Sequence, residues 1–314
     1  MDYKIKKRKG EIKMGKLETS NTGQNYVPYT TFEEYSERFS AFFSMERKDG
    51  IIHVRHHAEN QPDKKAIWHY GIHKGWGQLF KLIGQDPENE VLIISGTGDE
   101  FLTGMDPENI KDNQNARVDA PRLYLEQMYP MYRDGSDLIY NVVNDIHIPT
   151  IGVINGPSVG HTEFPLLCDL TLITDKTILH DGHYSAGVVP GDGQHMIFDY
   201  LVGTKRANYM AYTGKSIDPQ TALEWGMVNE VLPLDKIIDR AWEIAGQIMK
   251  QERTVRRLSH DMMREPLRQY ITKFFPQQFA LEWWGCADLA GKPLATEGIN
   301  FFNKLADRNE EDII

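Results

Sequence analysis

The sequence predicts an α/β fold followed by a helical C-terminal region. Short runs of consecutive apolar residues, typical of buried strands, alternate along the chain with longer segments whose apolar residues recur at helical spacing. Beyond Asp235 only the helical spacing remains. We therefore expect a disordered, polar and basic tail (residues 1–30), an α/β core (31–234) and a C-terminal helical region (235–314).

The first elements of the core are predicted to form a β-hairpin. The runs FFSME and IIHVRHH flank an Asp-Gly pair at residues 49–50, and this pair favours a tight hairpin turn. His53, Arg55 and His57 would share one face of the second strand, because successive side chains alternate. No fixed carboxylate or cysteine accompanies these histidines, so we expect a solvated strand face rather than a metal site.

Helices and strands then alternate along the core. Each predicted strand is a short apolar run, and each predicted helix has apolar residues three and four positions apart. We predict helices at 71–84 and about 121–145, strands at 90–96, 150–154, 170–174 and 227–232, a short helix ending near Cys168, a strand-like GVVP segment at 187–190, and helices beyond 235.

Composition and charge narrow the class of protein. The 314 residues are 40% apolar and 25% charged, as in ordinary globular proteins. The net charge is −10 although the first sixteen residues are strongly basic, so the rest of the chain is more acidic still. An acidic body argues against nucleic-acid binding. A transit peptide or a nucleic-acid-binding arm is the alternative to a disordered tail.

Cysteine content and hydropathy bear on the compartment. Cys168 and Cys286 are the only cysteines, too few for a disulfide framework, so we expect a reducing, cytoplasmic environment. No run of apolar residues approaches the eighteen that a membrane span needs, and the basic start lacks the apolar segment of a secretory signal.

Two loops that follow predicted strands are candidates for an oxyanion site. GTGDEFLTGMD (residues 96–106) is neither a Walker loop nor a dinucleotide fingerprint, and its glycines are suited to presenting a backbone N–H to a ligand oxygen. In the second loop, Gly160 precedes a short helix whose dipole favours negative charge. His161 stands beside it, and we favour a functional over a structural role there.

A third loop contains the strongest catalytic pattern. His183 and Asp192 lie nine residues apart, and a histidine held by a carboxylate is the usual general base. No nucleophile elbow is present, and Cys168 lies in an apolar run typical of a core residue. A metal site formed by His180, Asp181, His183 and Asp192 remains the alternative.

The segments around these loops resemble the enoyl-CoA hydratase/isomerase (crotonase) superfamily over residues 42–308. The similar segments are LIISGTGDEFLTGMD, TIGVINGPSVGHTEFPLLCDLTLIT, VVPGDG, YTGKSIDPQTALEWGMVNEVLP and EGINFFNKLADR. The resemblance implies a core built as a spiral of ββα turns, with C-terminal helices that assemble a homotrimer or a hexamer made of two trimers. It also implies an oxyanion hole made by the backbone N–H groups of Met105 and Gly160.

Departures from the hydratase pattern point to one branch of this superfamily. His183 stands where hydratases usually have a glutamate, although Glu163 matches the second hydratase glutamate. Ile67-Trp68 replaces the usual Asn-Ala pair. The same departures characterise β-diketone hydrolases similar to 6-oxocamphor hydrolase.

That resemblance implies a role for each site residue. His183 would be the base and Asp192 its orienting partner, while His161 and Trp68 would donate hydrogen bonds to substrate carbonyls. Glu282 would be a polar helper. The implied reaction is a retro-Claisen cleavage of a 1,3-diketone, which needs an activated water and two stabilised oxyanions but no metal, nucleotide or redox cofactor.

Two other functions remain open at this point. One is a CoA-thioester hydratase, isomerase or hydrolase that uses His183 in a new way, and the other is a non-catalytic member of the superfamily. Four tryptophans could line an apolar pocket, with at least two expected to be core residues instead: Trp68, Trp76, Trp283 and Trp284. Surplus apolar faces on the C-terminal helices favour a subunit interface.

Overall fold

The computed structural model describes residues 28–102, 104, 118–158, 160–292 and 313. Most of the predicted tail, Met105 and the EGINFFNKLADR segment therefore lie outside the described residues. None of the helices described is long and apolar enough to cross a membrane.

A six-stranded sheet organises the described chain, with its strands in sequence order. The first two strands pair antiparallel, and every later strand is parallel to its neighbour. The strands are β1 (Phe43–Lys48), β2 (Ile51–His56), β3 (Val91–Ser95), β4 (Thr150–Ile154), β5 (Leu170–Thr174) and β6 (Glu230–Leu232).

Helices connect the strands and complete the C-terminal region. The helices are α1 (Phe32–Arg38), α2 (Tyr70–Gln85), α3 (Pro121–Asn144), α4 (Glu163–Leu166), α5 (Gln194–Val202), α6 (Thr204–Thr213), α7 (Pro219–Glu224), α8 (Leu234–Ile248) and α9 (Arg253–Asp288). The predicted helices and parallel strands are confirmed, apart from GVVP, which forms turns and irregular chain.

The predicted β-hairpin is also confirmed, and its turn explains why. Asp49 and Gly50 both have positive φ angles, 52° and 83°, as a two-residue turn that matches the strand twist requires. The expectation that His53 and its neighbours form a solvated face is wrong. His53 is 6% exposed, lies 2.9 Å from Ser95 Oγ through its Nε2 atom, and meets the Trp242 ring edge-on.

The burial of His53 follows from the position of α8. This helix lies across one face of the sheet, where Ile237, Ala241 and Ala245 join an apolar cluster with β3, β4 and β5. The larger core, with α2 and α3, covers the opposite face. Because helices cover both faces, the central parallel strands β3 and β4 are buried throughout, as their uninterrupted apolar sequences require, while the edge strand β6 is half-buried.

The C-terminal helices therefore do not all present apolar surface to a partner. The apolar face of α8 is used within the chain, and on α9 Phe275 and Phe279 are buried against the protein's own core. The large apolar side chains that remain exposed on α9 are Val255, Leu258, Met262, Met263, Phe274, Leu281 and Trp284.

Candidate active site

The loops at the carboxyl ends of β3 and β4 are joined directly to each other. Asn155 accepts a hydrogen bond from Gly96 N–H (2.8 Å) and donates to the carbonyls of Gly98 (2.8 Å) and Glu100 (3.0 Å). Loops at this end of parallel strands are where α/β folds place their binding sites. The two candidate oxyanion loops are thereby held in one place.

Among the described residues, Gly104 and Gly160 have room beside them on these two loops. A Cβ atom built on either residue would meet no atom of the described part of the chain within 4 Å. Ser158 Oγ donates to the Gly160 carbonyl at 2.7 Å and so fixes that peptide. Room for a ligand at Gly160 is what the predicted oxyanion role needs, while its proposed partner Met105 lies outside the described residues.

His161 lies at the head of the short helix α4 and is held on several sides. Its φ angle of 56° is uncommon for a residue with a side chain, and such strain is often found at functional sites. Its Nδ1 atom lies 2.8 Å from Glu163 Oε1. Trp68 stacks on its ring with a centroid separation of 3.7 Å, and His73 meets it edge-on at 5.5 Å.

His183 lies between two carboxylates, where the sequence predicted one. Its Nε2 atom is 3.2 Å from Asp192 Oδ2, which confirms the predicted proximity of this pair. Its Nδ1 atom is 2.8 Å from Asp181 Oδ1. Both carboxylates are largely buried, at 1% exposure for the Asp181 side chain and 10% for Asp192.

The carboxylate of Asp192 lies between the rings of His161 and His183. The same Oδ2 atom that faces His183 lies 3.9 Å from His161 Nδ1. Its Oδ1 atom accepts the Gln194 N–H at the start of α5 (3.0 Å), which fixes the carboxylate between the rings. The chain thus brings together His161, His183 and Asp192, the three residues that the family resemblance places in one site.

Glu282 reaches the same site from the other end of the chain. Its Oε2 atom accepts the Gly191 N–H at 3.1 Å, next to Asp192. Burial, reinforced by the nearby Asp192 charge, raises the pKa of Glu282 to about 8. At neutral pH this side chain is therefore mainly a neutral acid, able to donate as well as accept a hydrogen bond.

The charges in the site favour a protonated imidazole at residue 183. Burial opposes the charged ring, but Asp192 and Asp181 outweigh it, and the pKa of His183 lies well above its usual range. Burial would raise the pKa of Asp192, yet His183 and His161 hold it well below its usual value. The pKa of His161 is also raised, because Glu163 and Asp192 outweigh burial.

Asp181 and His73 belong to the site in addition to the predicted His183–Asp192 pair, whereas Cys168 does not. The sequence indicates Asp181 only as a candidate metal ligand, and it gives no indication of His73. The Asp-Gly-His spacing was the available signal for Asp181, whereas nothing in the helical pattern of α2 separates His73 from core residues. Cys168 is buried and its pKa is raised to about 12 by that burial, so it is the predicted core residue.

The tryptophans separate into different environments. Trp68 lies in the site, while Trp76 is fully buried in the main core and Trp284 is 78% exposed. Trp283 packs against the core beside Phe279. Trp76 and Trp284 therefore do not line a pocket with Trp68.

The structure groups a different set of possible metal ligands from the predicted set of His180, Asp181, His183 and Asp192. Within the described part of the chain, the donors that lie within 4.8 Å of one another belong to His161, Glu163 and Asp192. Their closest contact is the His161–Glu163 pair, already engaged with each other at 2.8 Å. Paired imidazoles and carboxylates of this kind are suited to holding and moving protons.

Comparison with known proteins decides the family. A protein-family model described as enoyl-CoA hydratase/isomerase matches residues 60–282, which include the three loops and Glu282. The chain belongs to the enoyl-CoA hydratase/isomerase family. The crotonase fold predicted from the sequence is thereby confirmed, and the superfamily is one of enzymes: hydratases, isomerases and hydrolases.

Individual relatives of this crotonase chain differ in activity. It is similar to the solved structure of a β-diketone hydrolase from the cyanobacterium Anabaena sp. PCC 7120 bound to (S)-3-oxocyclohexyl acetic acid, with 29% identity and a TM-score of 0.73 over 82% of this chain and 98% of that one. An enoyl-CoA hydratase/isomerase from Mycobacterium paratuberculosis shares the fold at 20% identity, with a TM-score of 0.69 over 84% of this chain and 98% of that one. The hydroxycinnamoyl-CoA hydratase-lyase of Pseudomonas fluorescens is 27% identical over 214 residues, 68% of this chain and 74% of that protein.

Proposed function

We propose that this protein is a cofactor-independent hydrolase that cleaves a carbon–carbon bond of a cyclic or bicyclic 1,3-diketone. The observation that carries the proposal is the His183–Asp192 contact of 3.2 Å at the carboxyl end of the sheet, with His161 3.9 Å from the same carboxylate. A histidine base, not a pair of glutamates, occupies the centre of the site.

The reaction needs a base and two places for negative charge. Neutral His183 takes a proton from water, and the oxygen of that water bonds to one carbonyl carbon. The adjacent carbon–carbon bond then breaks, leaving a carboxylic acid and an enolate. Protonated His183 returns its proton to the enolate carbon, which completes the addition of one water across the broken bond, so the opened ring is one keto acid that carries a carboxylic acid and a ketone.

The surroundings of His183 suit it for activating water. When the ring accepts the proton, the resulting imidazolium lies between Asp192 and Asp181, which stabilise its charge. A base with a raised pKa is stronger, although a smaller fraction of it is neutral at pH 7. We therefore expect activity to favour the alkaline side of neutrality.

Two parts of the site would stabilise the oxyanions. Backbone N–H groups of Gly160 and Met105 are the proposed donors to the carbonyl that water attacks. Trp68 and His161 are the proposed donors to the second carbonyl, whose oxygen becomes the enolate. Because their rings are stacked, movement of one would displace the other.

The ligand of the Anabaena relative supports this choice of chemistry. 3-Oxocyclohexyl acetic acid contains one ketone and one carboxylic acid. These are the two groups that hydrolytic cleavage of a ring 1,3-diketone produces. No step of the proposed reaction requires a metal, a nucleotide or a redox cofactor.

Glu163 and the CoA-dependent relative favour a second candidate, an acyl-CoA hydratase, isomerase or hydrolase. Against this candidate, Glu163 Oε1 is engaged by His161 at 2.8 Å. The second acid of the two-carboxylate mechanism is replaced by His183. We therefore place the diketone reaction first.

Product analysis in ¹⁸O-water separates the two candidates. The enzyme is incubated with cyclohexane-1,3-dione, a bicyclic 1,3-diketone and crotonyl-CoA, and the products are identified by mass spectrometry. We expect a keto acid with one ¹⁸O from the solvent in its carboxylate, and no such product with His183→Ala. Hydration or hydrolysis of the thioester with intact diketones would refute the proposal and favour the second candidate.

We further propose a cytoplasmic homotrimer, or a hexamer formed from two trimers. Support comes from the exposed apolar side chains of α9, among which Met263 is 70% and Trp284 78% exposed. Side chains of this size at an exposed helix face favour association with another subunit. The oligomer would place α9, and with it Glu282, near a subunit boundary.

A further inference from the structure

We infer that Asp181 is a positioning residue that holds the imidazole of His183 by its Nδ1–H group and turns Nε2 toward Asp192 and the substrate. The inference deepens the proposed function and rests on it for the identity of the base. Its geometric basis is independent of the substrate, because it concerns contacts within the chain.

Asp181 contacts both the backbone and the ring of His183. Its Oδ1 atom accepts the His183 N–H at 3.1 Å and lies 2.8 Å from Nδ1. A carboxylate oxygen can only accept hydrogen bonds, so Nδ1 carries a proton in this arrangement. The single glycine between the two residues brings the carboxylate back onto the ring that follows it.

The ring contact does more than close the turn. The backbone bond alone would fix the Asp-Gly-His loop, whereas the Nδ1 contact also sets the rotation of the imidazole. With Nδ1 occupied, Nε2 is the nitrogen left to exchange a proton with water, and it faces Asp192 at 3.2 Å. Asp192 thereby faces the reacting nitrogen, while Asp181 holds the opposite side of the ring.

The environment of the second Asp181 oxygen indicates that the carboxylate also stabilises the positive charge of protonated His183. Asp181 Oδ2 is buried without a hydrogen-bond partner among the described residues, and His195 Nδ1 lies 4.0 Å away. A buried carboxylate whose second oxygen is left unbonded is costly unless a nearby positive charge compensates it. Protonated His183 supplies that charge, and Asp192, His161 and Glu282 are the other titratable groups around the ring.

Two substitutions separate position from charge. Asp181→Asn keeps an oxygen that can accept from the backbone and from Nδ1, but removes the negative charge. Asp181→Ala removes both the acceptor and the charge. Asp175→Asn, an exposed charge in the same segment of the chain, is the matched control.

The first measurement is the ¹⁵N NMR titration of the histidine side chains in the intact protein. The His183 signals are assigned by their loss in His183→Gln. In the wild type we expect a protonated Nδ1, and in Asp181→Asn we expect the pKa of His183 to fall by about 1–3 units. An unchanged His183 titration in Asp181→Asn, or an unprotonated Nδ1 in the neutral wild-type ring, would overturn the inference.

The second measurement is the pH profile of turnover. In Asp181→Asn the acidic limb of kcat/KM should move to lower pH, and the plateau at high pH should fall because the base is weaker, but by less than in Asp181→Ala. Asp181→Ala should lose about 10²-fold in kcat with little change in KM, because its base is misplaced. Equal plateau losses in both variants would indicate a merely structural role and would contradict the inference.

The two measurements distinguish failure of the proposed function from failure of the positioning role of Asp181. If no diketone is cleaved by the wild type, the proposed function is wrong, yet the NMR titration still tests whether Asp181 sets the state of His183. If diketones are cleaved and Asp181→Asn titrates as the wild type does, the reaction stands and the positioning role fails. Asp175→Asn should match the wild type in both measurements.

Discussion

Gly191→Ala is expected to impair catalysis more than it impairs folding. Gly191 lies in the loop that contains Asp192, at the point where this loop contacts the helix α9 that contains Glu282. A Cβ atom at residue 191 would lie 2.2 Å from the backbone oxygen of Gln278 and 2.8 Å from Glu282 Cβ. The first contact is with helix backbone, which cannot rotate away as a side chain could.

The expected losses of stability and rate follow from how far the loop must move away from α9 to make room for the new Cβ atom. Real Cβ contacts are essentially never shorter than 3.0 Å, so the loop and α9 must separate by about 0.8 Å or more. Such overpacking costs about 1–3 kcal/mol of stability. A displacement of this size at catalytic groups costs about 10²-fold in rate. The Gly191 N–H bond to Glu282, 3.1 Å in the native protein, would lengthen as well.

Steady-state kinetics and urea unfolding test this reasoning together. Gly246→Ala is the control, because a Cβ there meets none of the described residues within 4 Å and alanine in a helix is favoured over glycine by about 1 kcal/mol. We expect Gly246→Ala to keep its kcat with equal or greater stability. A Gly191→Ala enzyme with wild-type kcat and an unchanged urea midpoint would show that the loop and α9 are not in the contact described.

Five further predictions concern the base, its partner, the pH profile, metals and assembly. His183→Ala should lower kcat by about 10²-fold or more at a pH where the fold is intact, and near-wild-type turnover would end its assignment as base. Asp192→Asn should slow turnover and lower the pKa of His183, measured as a shift of the acidic limb to lower pH. Because only neutral His183 accepts a proton and its pKa is raised, wild-type kcat/KM should fall with decreasing pH from a point above about 6.5, and a profile flat from about pH 5 to 8 would contradict this. Exhaustive chelation should leave activity unchanged, whereas loss of activity restored by Zn²⁺ or Fe²⁺ alone would favour the metal alternative. Light scattering should give three or six times 36.1 kDa, and a stable, active monomer would refute the proposed assembly.

The elements of the core were predictable because each has a local cause. The Asp-Gly pair specifies the hairpin turn, and TIGVI and LTLIT are short runs rich in β-branched residues, which favour buried strands next to helices. The burial of His53 was not predictable in this way. It depends on Trp242, which lies on a helix almost two hundred residues later and packs on the same face of the sheet.

The candidate site shows the same division between local and distant causes. The His183–Asp192 pair was predicted from spacing within one loop, and the structure brings it to 3.2 Å. The contact between Asp181 and His183 is equally local, since the two residues are two positions apart. From the sequence, this spacing indicates only a candidate set of metal ligands. Glu282 approaches Gly191 across ninety-one positions, so only the family resemblance indicated it.

The number of residues in helix α9 determines where Glu282 lies in the site. Near one end Arg256 pairs with Glu90 at 2.6 Å, and near the other Glu282 contacts Gly191. One residue inserted between these anchors would rotate Glu282 by about 100° and advance it by about 1.5 Å. Substitutions at the exposed positions of α9 should therefore be tolerated, but insertions and deletions between its two anchors should be rare among relatives that keep the same reaction.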